Sequence, residues 1–400
     1  MTVAAFMELA LYDPETGYYA RAAQRSGRAG DFFTSVDVGP LFGQLLEIQL
    51  AEMAQLLAPQ IPEDESPPRH ESQIPNPKSR SVFDLVEAGA GNGRLSSDIL
   101  RAARERHPAF YDTIRLHLVE ASERAREAQR PTLGAVADRL ASTGADLPES
   151  FEGVLIANEL LDALPVHQVV MRDDGLNEVY VGHRREPDGV ERATLLEGPP
   201  STPLLQAYLD RLGVTLEPGW RVEINLRAVD WIRDAARRLR RGFMILIDYG
   251  HEAGELYSAT HAAGTLTTFS RHTAQAVCGP DPTDPAMLDA PWLNSPGEQD
   301  ITAHVDFTSL RAAAEAEGMT TIGLLDQTYF LLGLVQNLEN LANLANPANL
   351  ANPPNLANLA NQLKTLILPG GLGSTHKVLI LGKGVGRPSL RGCSFSVRVT

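Results

Sequence analysis

Two hydrophobic textures alternate along this chain. Leu41, Leu45, Ile48, Leu50 and Met53 recur at helical spacing and predict a helix over about Gly39–Leu57, while Phe6, Met7, Leu9 and Leu11 predict an earlier one. From Ser81 short apolar runs take over. Val82–Val86, Ile114–Val119, Gly153–Ala157 and Phe243–Asp248 read as strands. Helical segments near Arg94–Arg106, Glu123–Arg130 and Ala228–Arg240 separate them. Strands and helices alternating at these lengths predict an α/β fold, a doubly wound parallel sheet with helices on both faces. Val166–Met171, Val179–Gly182 and Arg192–Leu196 read as hairpin strands of an inserted β lobe covering 166–225. Thr320–Leu325 and His376–Leu381 are expected to close the sheet as a last pair.

The same pattern divides the chain. Residues 1–58 form an N-terminal helical or lid segment. Residues 59–80 are rich in Pro, Glu, Ser and Arg and read as a flexible linker. The main α/β domain runs over 81–384. Within it a low-complexity insertion, 337–361, repeats Asn-Leu-Ala, and Pro347, Pro353 and Pro354 forbid one continuous helix there. We read it as a connection. The tail, 385–400, has no evident partner and is expected to be loose.

Composition narrows the picture. The apolar fraction of 43% over 400 residues is sufficient for a sizeable core. The apolar runs, such as Phe243–Ile247, fall far short of the ~20 residues that span a bilayer as a helix. Met1–Phe6 has neither the pattern of a secretory signal nor that of a transit peptide, which leads us to expect a cytoplasmic, bacterial-type protein. Cys278 and Cys393 are far apart and read as free thiols, so neither a disulfide framework nor a cysteine-based metal site is expected. A net charge of −15 argues against broad nucleic-acid binding, which needs a cationic surface.

The chemistry begins at Glu87-Ala88-Gly89-Ala90-Gly91-Asn92-Gly93. A strand ends, glycines turn the chain and a helix starts. Glycine allows positive φ and lets the backbone run close under a ligand. A dinucleotide fingerprint would place its third glycine at position 94, which is Arg94, and a Walker loop would need Gly-Lys-Ser/Thr. Gly89, Gly91 and Gly93 instead have the Gly-x-Gly-x-Gly form of S-adenosylmethionine enzymes. One βαβ step later, Leu116–Val119 ends in Glu120, a carboxylate able to accept hydrogen bonds from both hydroxyls of a ribose. The third signal is Asn158-Glu159-Leu160-Leu161-Asp162 at another strand end. It reads either as cleft-lining polar groups or as a helix start with Asn158 as N-cap. His304 and Asp306 alternate about Val305, which would put both on one strand face in a structural or cleft-lining role. Asp248 and Tyr249 could line the substrate side. His167 and His272 have no partner visible in sequence.

Several further motifs stand in one order: Ala10–Pro14, Gly17-Tyr18-Tyr19, Gly30-Asp31-Phe32, Thr34-Ser35, Ile247–Gly250, Asp300–Phe307 and Lys377-Val378-Leu379. With the glycine loop and Asn158–Pro165 they resemble the MidA-like family, over about residues 3–384 apart from the linker and the repeat. Val36-Asp37-Val38-Gly39 departs from the family's more usual Pro-Glu-Val-Ser. The resemblance implies a class I methyltransferase with a Rossmann-like seven-stranded sheet and S-adenosyl-L-methionine as cofactor. It also implies a protein substrate presenting arginine, since a eukaryotic member methylates a subunit of respiratory complex I.

On this reading Glu87, Gly89, Gly91, Gly93, Glu120 and Asn158 bind the cofactor. A carboxylate would pair with two guanidinium nitrogens and aim the third at the methyl group. Glu159 is the first choice, Asp162 the second, and Asp31 a third, perched on a lid. No metal is expected. The rival readings are methylation of a small molecule or another side chain, and a non-catalytic assembly factor on the same fold.

Overall fold

The computed structural model describes residues 1–21, 34–58, 82–185, 191–270, 273–276, 290–335, 353–368 and 372–395. Three helices come first, α1 (Val3–Tyr12), α2 (Tyr18–Arg21) and α3 (Leu41–Leu57). The alternating region follows as β1 (Phe83–Ala88), α4 (Arg94–Arg106), α5 (Pro108–Tyr111), β2 (Ile114–Val119), α6 (Glu123–Leu133), β3 (Leu140–Gly144) and β4 (Phe151–Asn158). Next come β5 (His167–Arg172), β6 (Gly175–Arg185), β7 (Glu191–Gly198), α7 (Leu204–Leu212) and β8 (Arg221–Ile224). After them run α8 (Leu226–Arg238), β9 (Leu239–His251), α9 (Ala253–Leu256), β10 (Thr267–Ser270), β11 (Thr273–Ala276), β12 (Asp300–Thr302) and β13 (Val305–Asp306). The chain closes with α10 (Phe307–Ala316), β14 (Thr320–Asp326), α11 (Gln327–Val335), α12 (Pro353–Ile367) and β15 (His376–Lys383).

The central sheet has the order β14-β15-β9-β4-β1-β2-β3, and β13 adds to the end of β9. Its pairs are parallel except those of β15, which is antiparallel to both β9 and β14. The expected final pair is therefore β14 and β15, and it sits at the edge of the sheet. Strand order reverses between β1 and β4. That reversal is a topological switch point, where open α/β sheets leave a crevice at the strands' carboxyl ends.

Alternation within strands explains why both faces are covered. Leu85, Ile245, Ile247, Val378 and Ile380 pack on one side with α3, α4, α11 and α12. Val86, Met244, Leu246, Leu379 and Leu381 pack on the other with α7, α8 and α10. Polar side chains fix several helix starts. Ser122 accepts from the Ala125 amide at 3.3 Å and Asn225 from the Ala228 amide at 2.8 Å.

The inserted lobe is a separate antiparallel sheet, β7-β6-β5-β8, and a third sheet, β11-β10-β12, follows it. β3, β8 and the β10–β12 sheet lie outside the expected strands, because each strand is only three to five residues long, too short for a period to stand out. The 1–58 segment does not act as a unit: α1 packs against the lobe through Val3, Met7 and Leu11, whereas α3 belongs to the central layer.

Two expectations need correction. Part of the repeat is not a plain connection, since α12 starts at Pro353, where the first turn tolerates proline, and seats Leu359, Leu363 and Leu366 on the core. The described part of the tail is docked, too. Gly392 N–H donates to Gln49 Oε1 at 2.9 Å and Arg391 N–H to Glu52 Oε2 at 3.0 Å, which lays residues 391–393 on α3. The 59–80 linker, Asp31, His272 and Cys278 lie outside the described residues.

Candidate active site

The glycine bend between β1 and α4 has the backbone its sequence requires. Gly89, Gly91 and Gly93 have φ of 70°, 50° and 81°, in the region that side chains disfavour. The amides of Gly89 and Ala90 both donate to the Val119 carbonyl, at 2.9 and 3.1 Å, so the loop is tied to the tip of β2. A Cβ at Gly89 would crowd Leu160 and one at Gly93 would crowd Leu118, but at Gly91 it would point into open space. Gly91 is thus the bend's exposed lip.

Glu120 stands across from that lip. Its Oε2 accepts from the Gly91 amide at 2.8 Å and its Oε1 from the Ser122 amide at 2.8 Å. Each carboxylate oxygen retains accepting capacity for a further donor. A cavity of about 610 Å³ opens beside this tip, lined by Tyr12, Tyr19, Ser122 and Arg126 among others, a size suited to a small-molecule ligand. Asn158 Oδ1, at the tip of β4, is buried without a hydrogen-bond partner. An open glycine lip, a carboxylate with spare acceptor sites and an orphaned buried oxygen together fit the adenosyl group of S-adenosyl-L-methionine. In that fit Gly91 and Glu120 would hold the nucleoside and Asn158 would lie toward the rest of the ligand.

Glu87 differs from its expected place. Its carboxylate is buried under the first turn of α4 and accepts from the amide of Ser96 at 3.2 Å and from its hydroxyl. Burial pushes it up to about 7. Its described contacts are those of a group that braces the loop from behind.

The tips of β4, β9 and β15 build the other half. Asn158 does not cap a helix. Residues 159–165 form a turn, and the reason is Asp248, whose Oδ2 accepts from the amides of Leu160, Leu161 and Asp162 at 3.2, 2.8 and 3.4 Å. Glu159 enters that turn at φ 51°, and among the described residues only Ser295 is another non-glycine at positive φ. Such a conformation costs on the order of 1–2 kcal/mol and persists where surroundings enforce it. Here the Glu159 amide donates to the Ile247 carbonyl at 2.8 Å. Its Oε1 accepts from the Ser35 amide and the Asn158 side chain, both at 3.2 Å.

His376, missed in the sequence, completes this half. It is fully buried and stacks on Tyr249 with ring centroids 3.9 Å apart. Its Nδ1 lies 2.9 Å from the Leu372 carbonyl, an acceptor, which fixes a proton on Nδ1. Nε2 lies 3.5 Å from Glu159 Oε1, close enough for an ion pair but outside hydrogen-bond geometry. Burial opposes a charge on this ring, and the Glu159 carboxylate, the Leu372 carbonyl and Asp248 together outweigh it and raise His376 above its ordinary value. Burial, then the Asp248, Asp300 and Glu159 charges, raise Asp162 well above the usual range. Asp248 rises to about 7, chiefly from burial, with the Leu161 amide working against the rise.

Tyrosines line the join between the halves. Tyr12 donates to the Ala163 carbonyl at 3.1 Å and Tyr19 to Asp300 Oδ1 at 2.8 Å. Burial and the charges of Asp300, Asp162 and Glu120 hold Tyr12 well above its usual value, so it faces both halves at once. Sequence spacing gives no signal for Tyr12, Tyr19, Asp300 and His376 meeting here. Asp306 has a structural role, capping α10 through the Thr308 and Ser309 amides and taking the Tyr208 hydroxyl at 2.7 Å, while His304 lies against His251 and His261. His167 has a partner after all, Glu178 at 2.7 Å.

Known proteins agree with this geometry. The mitochondrial protein arginine methyltransferase NDUFAF7 of Mus musculus is 27% identical over 356 residues, covering 83% of this chain and 70% of that protein. The Drosophila melanogaster homolog is 28% identical, covering 96% and 82%. A COG1565 superfamily member from Burkholderia thailandensis, crystallised with S-adenosyl-homocysteine, superposes with a TM-score of 0.77 at 28% identity, over 99% of this chain and 90% of that one. Residues 71–325, more than half the chain, match the Methyltransf_28 family model, and the glycine bend, Glu120 and the switch-point turn all fall inside that span. The chain therefore belongs to this family of S-adenosyl-L-methionine-dependent methyltransferases.

Proposed function

We propose that this methyltransferase acts on arginine side chains of a protein. The observation that carries the reading is the charge at the acceptor half. Three carboxylates, Glu159, Asp162 and Asp248, crowd together in a buried site, and the described residues set one basic side chain against them, His376. A site with that balance favours a cation, and the tyrosines beside it supply rings that suit a planar guanidinium. The relatives named as protein arginine methyltransferases support the same reading.

S-adenosyl-L-methionine supplies the methyl group when bound. We assign Glu120, Gly91 and Asn158, with Gly89 and Gly93 shaping the bend, to holding it; Glu87 keeps the bend in shape. We assign Glu159 to pairing with the guanidinium and turning one nitrogen toward the methyl carbon. Positioning of this kind contributes several kcal/mol to barrier lowering. As the nitrogen–carbon bond forms and the carbon–sulfur bond breaks, the guanidinium loses one proton, and Glu159 is the carboxylate we assign to take it. Asp162, raised well above the usual carboxylate range by burial and by the neighbouring Asp248, Asp300 and Glu159 charges, lies beside it in the same pocket.

Labelled-methyl transfer into a lysate, followed by mass spectrometry, tests the reading. We expect label on arginine residues of a protein. Label confined to a small metabolite, or to another side chain, overturns the arginine assignment.

A further inference from the structure

Three imidazoles converge from three segments, one of them two residues beyond Tyr249 and another one residue beyond Ala303, whose amide donates to the Asp162 carbonyl. His251 ends β9, His261 closes the single turn Ala259–His261, and His304 directly precedes β13. Their ring centroids are 4.7, 5.2 and 5.9 Å apart in pairs. One ring nitrogen from each lies within 4.8 Å of the other two. Nothing in the proposed methylation uses them.

The nitrogens are the informative part. His251 Nδ1 and His304 Nδ1 are buried with no hydrogen-bond partner. An unpaired buried nitrogen is costly and rare, so two in one cluster need an account. Glu255 Oε1 lies 3.1 Å from His251 Nδ1 but not in hydrogen-bond geometry. Water does not resolve the problem at His304, because the cavity it lines with His261, Tyr257 and Thr265 is too small for a water molecule. His261 Nδ1 lies 3.0 Å from the Glu255 carbonyl oxygen, an acceptor, so its proton sits on Nδ1 and its Nε2 carries a lone pair. A carbonyl holding the far nitrogen is the usual arrangement around a metal-bound histidine.

We propose that His251, His261 and His304 bind a divalent first-row transition cation such as zinc, with the Glu255 carboxylate as fourth ligand. Imidazole nitrogens and a carboxylate oxygen suit that class of ion, whereas calcium and magnesium need an oxygen cage. Zinc–nitrogen bonds of about 2.0–2.1 Å place tetrahedral ligand atoms about 3.3 Å apart. The ligand nitrogens therefore close by up to about 1.5 Å on binding, a shift that side-chain rotation supplies. Glu223, nearby, is already taken by Thr265 N–H at 2.7 Å and Gln168 at 2.9 Å, and is not a ligand. The bound ion would clamp the end of β9 to the turn after α9 and to the β12–β13 connection.

The test uses the full chain without a histidine tag, stripped by a chelator. Zinc is titrated in competition with a chromogenic chelator, and cobalt is substituted to read coordination by its visible spectrum. We expect one saturable site, tetrahedral cobalt bands, and a melting temperature that rises with zinc. His261 is partly exposed, so His261→Ala is the variant of choice, with S-adenosyl-homocysteine binding as the check that it is folded. Losing an outer partner of a metal ligand costs about 10–100-fold in affinity, so losing the ligand itself should exceed 100-fold. Zinc affinity equal in wild type and His261→Ala, or a cobalt spectrum that stays that of the hydrated ion, overturns the proposal.

Discussion

At the tips of β1 and β2 the charged group facing the cleft is Glu120, part-exposed, with each oxygen on a backbone amide. At the tips of β4, β9 and β15 the charged groups are Glu159, Asp162 and Asp248, buried against one another and a single imidazole. The first half is a cradle of amides and one part-exposed carboxylate, suited to the hydroxyls of a nucleoside. The second concentrates negative charge in low dielectric, where an unmatched charge is expensive and a cationic guest relieves it. The contrast implies that the halves can be damaged separately.

The largest expected effect is on the acceptor side. Glu159→Gln keeps the shape and removes the charge, and turnover should fall by about 10²–10⁴-fold, the range for a lost acid–base group. A labelled-methyl assay measures it, and unchanged turnover would remove Glu159 from the reaction. A second test sharpens the contrast within the donor half, because Glu87 there is buried like the acceptor acids. Its folded value of about 7 exceeds its ordinary 4.5, so the folded state keeps a proton that the unfolded chain has lost. Its contribution to stability is fully present below about pH 4.5 and fades as pH rises to about 7. The loss is on the order of 3 kcal/mol across that window. In Glu87→Gln this component of the urea-unfolding pH profile should disappear, and a profile identical to wild type would count against a raised Glu87.

A smaller effect is expected outside both halves. A Cβ at Gly392 would come within 2.4 Å of the Phe330 ring and 2.8 Å of Gln49. Gly392→Ala should therefore cost about 1–3 kcal/mol by overpacking. Denaturant unfolding should show that cost while methyl transfer by the folded fraction stays at the wild-type rate. A tail that is loose in solution would show no loss.

The two halves also differ in how far the sequence reveals them. The donor half is contiguous: a strand, a glycine bend and the next strand's terminal acid all follow from local pattern, and β2 and α4 begin and end where that pattern puts them. The acceptor half is assembled from distant segments. Asn158, Glu159 and Asp162 stand out as a cluster, but the turn they form is set by Asp248, some 90 residues later, and not by helix propensity. His376 reads locally as the first residue of an apolar strand, and only the antiparallel pairing of β15 with β9, His376 opposite Tyr249, brings it to Glu159. The docked tail and α12 were hidden for a related reason. Gly392 looks like a breaker until its partner Gln49 on α3 is in place, and α12 is seated by Leu359, Leu363 and Leu366, beyond the prolines of the repeat.

The separation of the halves is tested most directly by calorimetry with S-adenosyl-homocysteine on wild type, Glu120→Ala and Glu159→Gln. Losing hydrogen bonds to a charged acceptor costs about 1.5–3 kcal/mol, so Glu120→Ala should weaken binding by roughly 10–100-fold. Glu159→Gln should stay within about threefold of wild type, a difference below 1 kcal/mol. If Glu159→Gln weakens the nucleoside as much as Glu120→Ala does, the cleft is not divided in this way and the acceptor role of Glu159 fails.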